Sequence, residues 1–81
     1  MKIETLFFAS ARDAVGAPRR TLEVDVGTRV GDVFELLVRA HPGLAPVRPS
    51  LRFAVNEDFV NDEHVLAEGD CLALLPPVSG G

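Results

Sequence analysis

An α+β fold is predicted, a mixed sheet closed over one long helix, and three observations predict it. The first and last strand-like runs, 2–8 and 71–75, carry apolar residues at consecutive positions, as strands covered on both faces do. Residues 20–26 alternate between apolar and polar, the two-residue period of a half-buried strand. Residues 30–38 then switch to helical spacing.

Taken in order, Lys2 to Phe8 offers Ile3, Leu6, Phe7 and Phe8 to the first strand. Ser10-Ala11-Arg12-Asp13 has the Ser-x-x-acid form of a capping box, which predicts a short extra helix begun by Ser10. Gly16 is suited to end that helix, and Pro18 prevents its continuation. From Arg20 to Val26, Leu22, Val24 and Val26 point one way and Thr21, Glu23 and Asp25 the other. The short connection predicts that this strand runs antiparallel to the first. Thr28 is the predicted N-cap of the main helix. Its apolar stripe is Val30, Val33, Phe34, Leu37 and Val38, with Asp32 and Arg39 at the ends that the helix dipole favours.

His41-Pro42-Gly43 closes the helix, and Leu44 to Ser50 reads as a proline-punctuated loop. Leu51, Phe53 and Val55 alternate with Arg52 and Ala54 in a third strand. Asn56-Glu57-Asp58 is a turn and Phe59-Val60 a short returning strand. Val65-Leu66 is a brief apolar contact, Glu68-Gly69-Asp70 turns the chain, and Cys71 to Leu75 is the last strand. The order strand, strand, helix, strand, short strand, strand sets the first and last strands side by side and parallel in the middle. The main helix then crosses one face. This is a β-grasp sheet, predicted as one domain over residues 1–81 with a flexible tail at 76–81 that leaves from the sheet's centre.

The totals narrow the function. With 47% hydrophobic and 25% charged residues, the chain has a globular composition, not a disordered one. A net charge of −4 argues against nucleic acid or an anionic membrane as partner and points to a protein with a basic groove. No apolar run approaches a membrane span, and Glu4 interrupts any signal-like apolar stretch. Cys71 is the sole cysteine and cannot form an internal disulfide; a cytoplasmic location is expected.

No set of side chains makes a convincing active site. There is no His/Cys cluster at metal spacing, no nucleophile elbow, no Walker loop and no dinucleotide fingerprint, so no bound metal or cofactor is expected. His41 precedes a proline and His64 lies in a polar turn, so both read as surface or capping residues. Cys71 has no base nearby in sequence and reads as a small strand residue. Glu57-Asp58 and Asp62-Glu63 read as solvated turns.

What remains is the end of the chain, Pro76-Pro77-Val78-Ser79-Gly80-Gly81. The prolines stop ladder pairing, because they lack an N–H. Gly80 and Gly81 lack a Cβ, so this backbone fits a narrow channel. Fully extended, the segment reaches roughly 20 Å. A terminal carboxylate, with a pKa of about 3.5, is an anion at neutral pH and a poor electrophile. Acyl transfer requires that it first receive a leaving group, as an acyl-phosphate or acyl-adenylate. The chain has no nucleotide motif, so the ATP chemistry is expected from a partner.

These residues carry a resemblance. Leu6-Phe7-Phe8-Ala9 followed by Arg12, the helix from Thr28, Val55-Asn56 before the hairpin, Leu66, Gly69-Asp70 and the terminal Pro76-Pro77-Val78-Ser79-Gly80-Gly81 resemble the molybdopterin synthase small subunits. These are the ubiquitin-like sulfur carriers of molybdenum cofactor synthesis. The resemblance implies that Gly81 is adenylated by a ubiquitin-activating-type adenylyltransferase using ATP, then converted to a thiocarboxylate with sulfur from a donor protein. It further implies that the tail enters the large synthase subunit, in a heterotetramer, and gives sulfur to cyclic pyranopterin monophosphate. The chain would then be a non-autonomous subunit of a sulfurtransferase.

By the same resemblance Gly81 carries the sulfur, Gly80 gives clearance in the channel, and Pro76, Pro77 and Val78 are the stiff anchoring part, with Ser79 between. Phe59 and Leu75 are candidate exposed apolar contacts with partners, the alternative being that each is core. Two positions depart from the pattern: Cys71 stands where relatives often carry a charge, and Leu75 where some carry an aromatic. A thiamine-type sulfur carrier and a ubiquitin-like modifier share the glycine tail. Pro76-Pro77-Val78 and the extra helix favour the molybdenum branch, and the single Lys2 argues against chains built on itself.

Overall fold

The computed structural model describes residues 1–77, and the rest of the predicted tail, with the site residues Val78, Ser79, Gly80 and Gly81, lies outside the described residues. Five strands, β1 (Lys2–Phe7), β2 (Arg19–Glu23), β3 (Arg52–Val55), β4 (Asp58–Val60) and β5 (Cys71–Leu75), form one sheet in the order β2-β1-β5-β3-β4. β1 and β5 pair in parallel from Glu4↔Cys71 to Phe7↔Leu74, and every other pairing is antiparallel. The two runs that were apolar at consecutive positions are thus the central pair, as predicted.

Helix α2 (Val30–Ala40) lies in the crossover between β2 and β3. Val30, Val33, Phe34 and Leu37 bury the predicted stripe against Ile3, Phe7, Phe53, Leu72 and Leu74. The Phe34 and Phe53 rings meet at 5.7 Å in a tilted arrangement. Burying Leu72 and Leu74 completely is worth about 2 kcal/mol each by area removed from water. Thr5 is the buried polar residue of this face, and its hydroxyl donates to the Arg20 carbonyl at 2.7 Å.

Four local expectations are corrected. The short helix α1 (Ala9–Val15) has Phe8 at its N-cap, with no side-chain cap, so Ser10 lies inside its first turn. The sheet sets that start: the Phe8 N–H donates to the Leu74 carbonyl at 3.2 Å while its own carbonyl accepts from Ala11 at 3.1 Å. Gly16 ends α1 as predicted, at φ 82°, where its N–H donates to the Arg12 carbonyl. At α2 the N-cap is Arg29, not Thr28. The Thr28 carbonyl accepts from Leu66 at 2.9 Å, tying the loop to 65–66, and the Arg29 N–H donates to Asp32 Oδ2 at 2.9 Å.

The third correction concerns β2, which stops at Glu23. Val24 remains buried, but Val26 is 88% exposed on a turn closed by the Thr28 N–H to the Asp25 carbonyl at 3.1 Å. The fourth is the predicted loop, which is a 3-10 segment over Pro42–Ser50. The φ that a proline ring imposes suits a 3-10 turn, and Leu44, fully buried, pins the segment to the core. Arg48 from this segment stacks over the Phe53 ring at 4.6 Å and ion-pairs with Asp62. No helix of the described residues is long and apolar enough to cross a membrane.

Candidate functional site

Residues that pair across a sheet point to the same side, so the register sorts every strand residue into a helix-covered face and an open one. Ile3, Thr5, Phe7, Leu72, Leu74, Phe53 and Val55 face the helix side. The open face carries one row that crosses all five strands: Arg19, Leu6, Ala73, Ala54 and Phe59. Two alanines at its centre stand between larger side chains, so the middle of the row is low.

The next row toward the end of β5 pairs Leu75 with Arg52. Phe59 is 60% exposed, which makes it surface and not core, and Leu75 is half-buried. Phe8, just beyond β1, is also exposed. Pro76 and Pro77 follow β5 directly and are exposed, so the chain leaves the central strand beside this apolar row.

Charge on this face is ordered along the strands. Glu4 accepts from the Thr21 hydroxyl at 2.9 Å and from Arg19 Nε at 3.1 Å. Those contacts, the Thr21 hydroxyl above all, hold its carboxyl below the usual glutamate range. Arg52 lies over the Phe59 ring at 5.8 Å. The opposite end of the sheet, where β2 and β3 stop and β4 and β5 begin, carries Glu23, Glu57, Asp58, Glu68 and Asp70. There Asn56 brackets the start of β5: its Nδ2 donates to Asp70 Oδ1 at 2.9 Å, and its Oδ1 accepts from the Cys71 N–H at 3.0 Å.

Cys71 is half-buried on the open face, and no group of His, Cys, Asp or Glu among the described residues could hold a metal ion. His41 caps α2 through its backbone N–H, which donates to the Leu37 carbonyl at 2.7 Å, and the His64 carbonyl accepts from Val30. The open face adds Leu6, Ala73, Ala54, Arg19 and Arg52 to Phe59 and Leu75. Sequence reasoning missed these five, because strand parity gives each strand two faces but not the register that joins them into one surface.

Comparison with known proteins agrees with this architecture. The profile of the ThiS family matches residues 5–81. A protein of Chlamydomonas reinhardtii named molybdopterin synthase sulfur carrier subunit is 36% identical, with 100% of both chains covered. The Homo sapiens protein of the same name is 34% identical, over 99% of this chain and 94% of its own. Among solved structures, SAMP1 from Haloferax volcanii superposes with a TM-score of 0.85 at 32% identity, covering 100% of both chains.

Proposed function

The chain belongs to the ThiS family, and from that premise we propose that it is a sulfur carrier of molybdenum cofactor synthesis that works through Gly81. The observation that carries the reading is the parallel β1/β5 pair at the centre of the sheet. Because β5 is held on both edges, the segment after Leu75 is aimed by the whole domain, beside an open apolar row that can seat a partner. The reach of about 20 Å beyond Leu75 then allows the body to dock outside while the terminus enters a pocket. Relatives named as a subunit of molybdopterin synthase support the remainder of that synthase as the partner.

The chemistry follows from the terminus. The Gly81 carboxylate attacks the α-phosphate of ATP on an activating enzyme, and pyrophosphate leaves. A sulfur nucleophile from a donor then displaces AMP, giving the thiocarboxylate. Within the synthase the thiocarboxylate sulfur bonds to cyclic pyranopterin monophosphate, and water cleaves its bond to the Gly81 carbonyl, leaving the sulfur on the substrate and a carboxylate on Gly81. This chain contributes the acyl group, its thin approach and the docking face; ATP is bound by the activating partner. Pro76, Pro77 and Val78 form the stiff anchoring part of the tail, and Gly80 gives the clearance that a Cβ would remove.

The test is mass spectrometry of the chain incubated with activating enzyme, ATP and a sulfur donor. One oxygen of Gly81 replaced by sulfur is expected, and an unchanged mass with an enzyme that activates a known carrier overturns the reading. A second reading, a protein modifier joined to lysines, is favoured by the likeness to SAMP1, the small archaeal modifier protein 1. It predicts high-mass adducts in lysate that vanish when Gly81 is deleted.

A further inference from the structure

We infer that the open face docks a partner surface that is apolar at its centre and presents a carboxylate to Arg52, so that charge at the tail's exit is opposite in sense to the molecule's net charge. The inference rests on the reading of the chain as a carrier whose tail enters a partner, and it names the chemistry of that partner's face.

Arg52 occupies the last ladder position before the tail, opposite Leu75, and it is exposed. Its guanidinium lies over the Phe59 ring at 5.8 Å. Arg19, Arg29 and Arg48 each have a carboxylate in ion-pair contact, whereas Arg12, Arg20, Arg39 and Arg52 have none among the described residues, and of these four Arg52 is the one that lies over an aromatic ring. A guanidinium resting on an aromatic face is held in place while its edge N–H groups stay available, and that edge matches a carboxylate in two-point contact. Arg19 lies across the row on β2, with its Nε already committed to Glu4.

Of the acids behind the net charge of −4, Glu57 and Asp58 are in the hairpin, and Glu68 and Asp70 precede β5, at the far end of the sheet, while Asp62, which lines one cavity with Arg52 and Phe59, is ion-paired with Arg48, and Glu63 with Arg29. A partner that covers Leu75 and Phe59 must also cover Arg52. Burying that cation against an apolar or basic surface leaves it desolvated and unpaired, which disfavours such partners; a carboxylate removes the cost. The net charge alone would have chosen a basic groove. The local field at the exit chooses an acidic rim around an apolar seat.

The bland role for Arg52 is to keep the open face soluble next to the edge strand β4. The two roles separate in a binding experiment with the large subunit of molybdopterin synthase from the same source, measuring association rate and Kd for wild type, Arg52→Glu, Arg52→Lys and Glu57→Gln. Arg52→Glu is expected to weaken binding by about tenfold or more and to reverse the salt dependence of association. Arg52→Lys keeps affinity within about threefold, and Glu57→Gln binds as wild type. Circular dichroism melts establish that the variants fold; should Arg52→Glu melt early, the neutral Arg52→Gln replaces it, with a loss of about fivefold expected. Wild-type affinity in the charge-reversed or neutral variant overturns the inference and leaves the carrier reading standing. Failure of wild type to bind the large subunit overturns the carrier reading and this inference with it.

Discussion

At the scale of the residue, Glu4 is the group whose titration is tied to the fold. It sits on the open face of β1, where the Thr21 hydroxyl and Arg19 Nε, both from β2, converge on its two oxygens. Both contacts favour the charged form, so the folded pKa lies below the unfolded one. The stabilisation is therefore present above the unfolded pKa and is lost as pH falls through the folded value. Glu4→Gln should lower the melting temperature near pH 7, and the gap to wild type should narrow in acid as wild-type Glu4 is protonated. A gap that persists unchanged in acid would mean that the pair does not stabilise the fold through its charge. Nothing in the spacing of Glu4, Arg19 and Thr21 marked them as a set; the antiparallel register assembles them.

The elements were legible to different depths. The stripe of α2 and the apolar run of β5 were read directly, because burial on one helix face or both strand faces leaves a periodic trace in the sequence. The helix starts differ from the sequence expectation by two residues at α1 and by one at α2. A capping motif competes with backbone partners supplied by distant residues: Leu74 holds Phe8 before α1, and Leu66 engages Thr28 before α2. The 3-10 segment was read as a loop, since Pro46 and Pro49 break α-helical spacing yet suit tighter turns. β5 is the element on which the rest depends, being paired on both edges and carrying the tail. Leu72→Ala should cost about 3 kcal/mol by chemical denaturation, through lost burial and the cavity left in a fully buried site. A cost below about 1 kcal/mol would mean that the centre of the sheet collapses to fill the space.

At the scale of the molecule, one face of the sheet carries the buried core and the other an open apolar row, and Pro76 and Pro77 leave the central strand between them. Stability and binding should then separate by face. Phe59, 60% exposed, contributes little to the core, so Phe59→Ala should change stability by less than about 0.5 kcal/mol while weakening binding to the synthase large subunit about tenfold. Loss of stability without loss of binding would return Phe59 to the core and remove the open row from function.

The sequence by itself determined the β-grasp order of elements, the parallel central pair and the helical stripe. Each of these is written in local periodicity or in residue type. Only the tertiary structure decided which side of the sheet stays open, that Leu6, Ala73 and Ala54 share a row with Phe59, and that Arg52 stands opposite Leu75. The physical reason is that a strand's period of two defines two faces without saying which one the helix will cover. Register between strands distant in the chain, set by Leu6↔Ala73 and Ala54↔Phe59, is what joins separate residues into one surface.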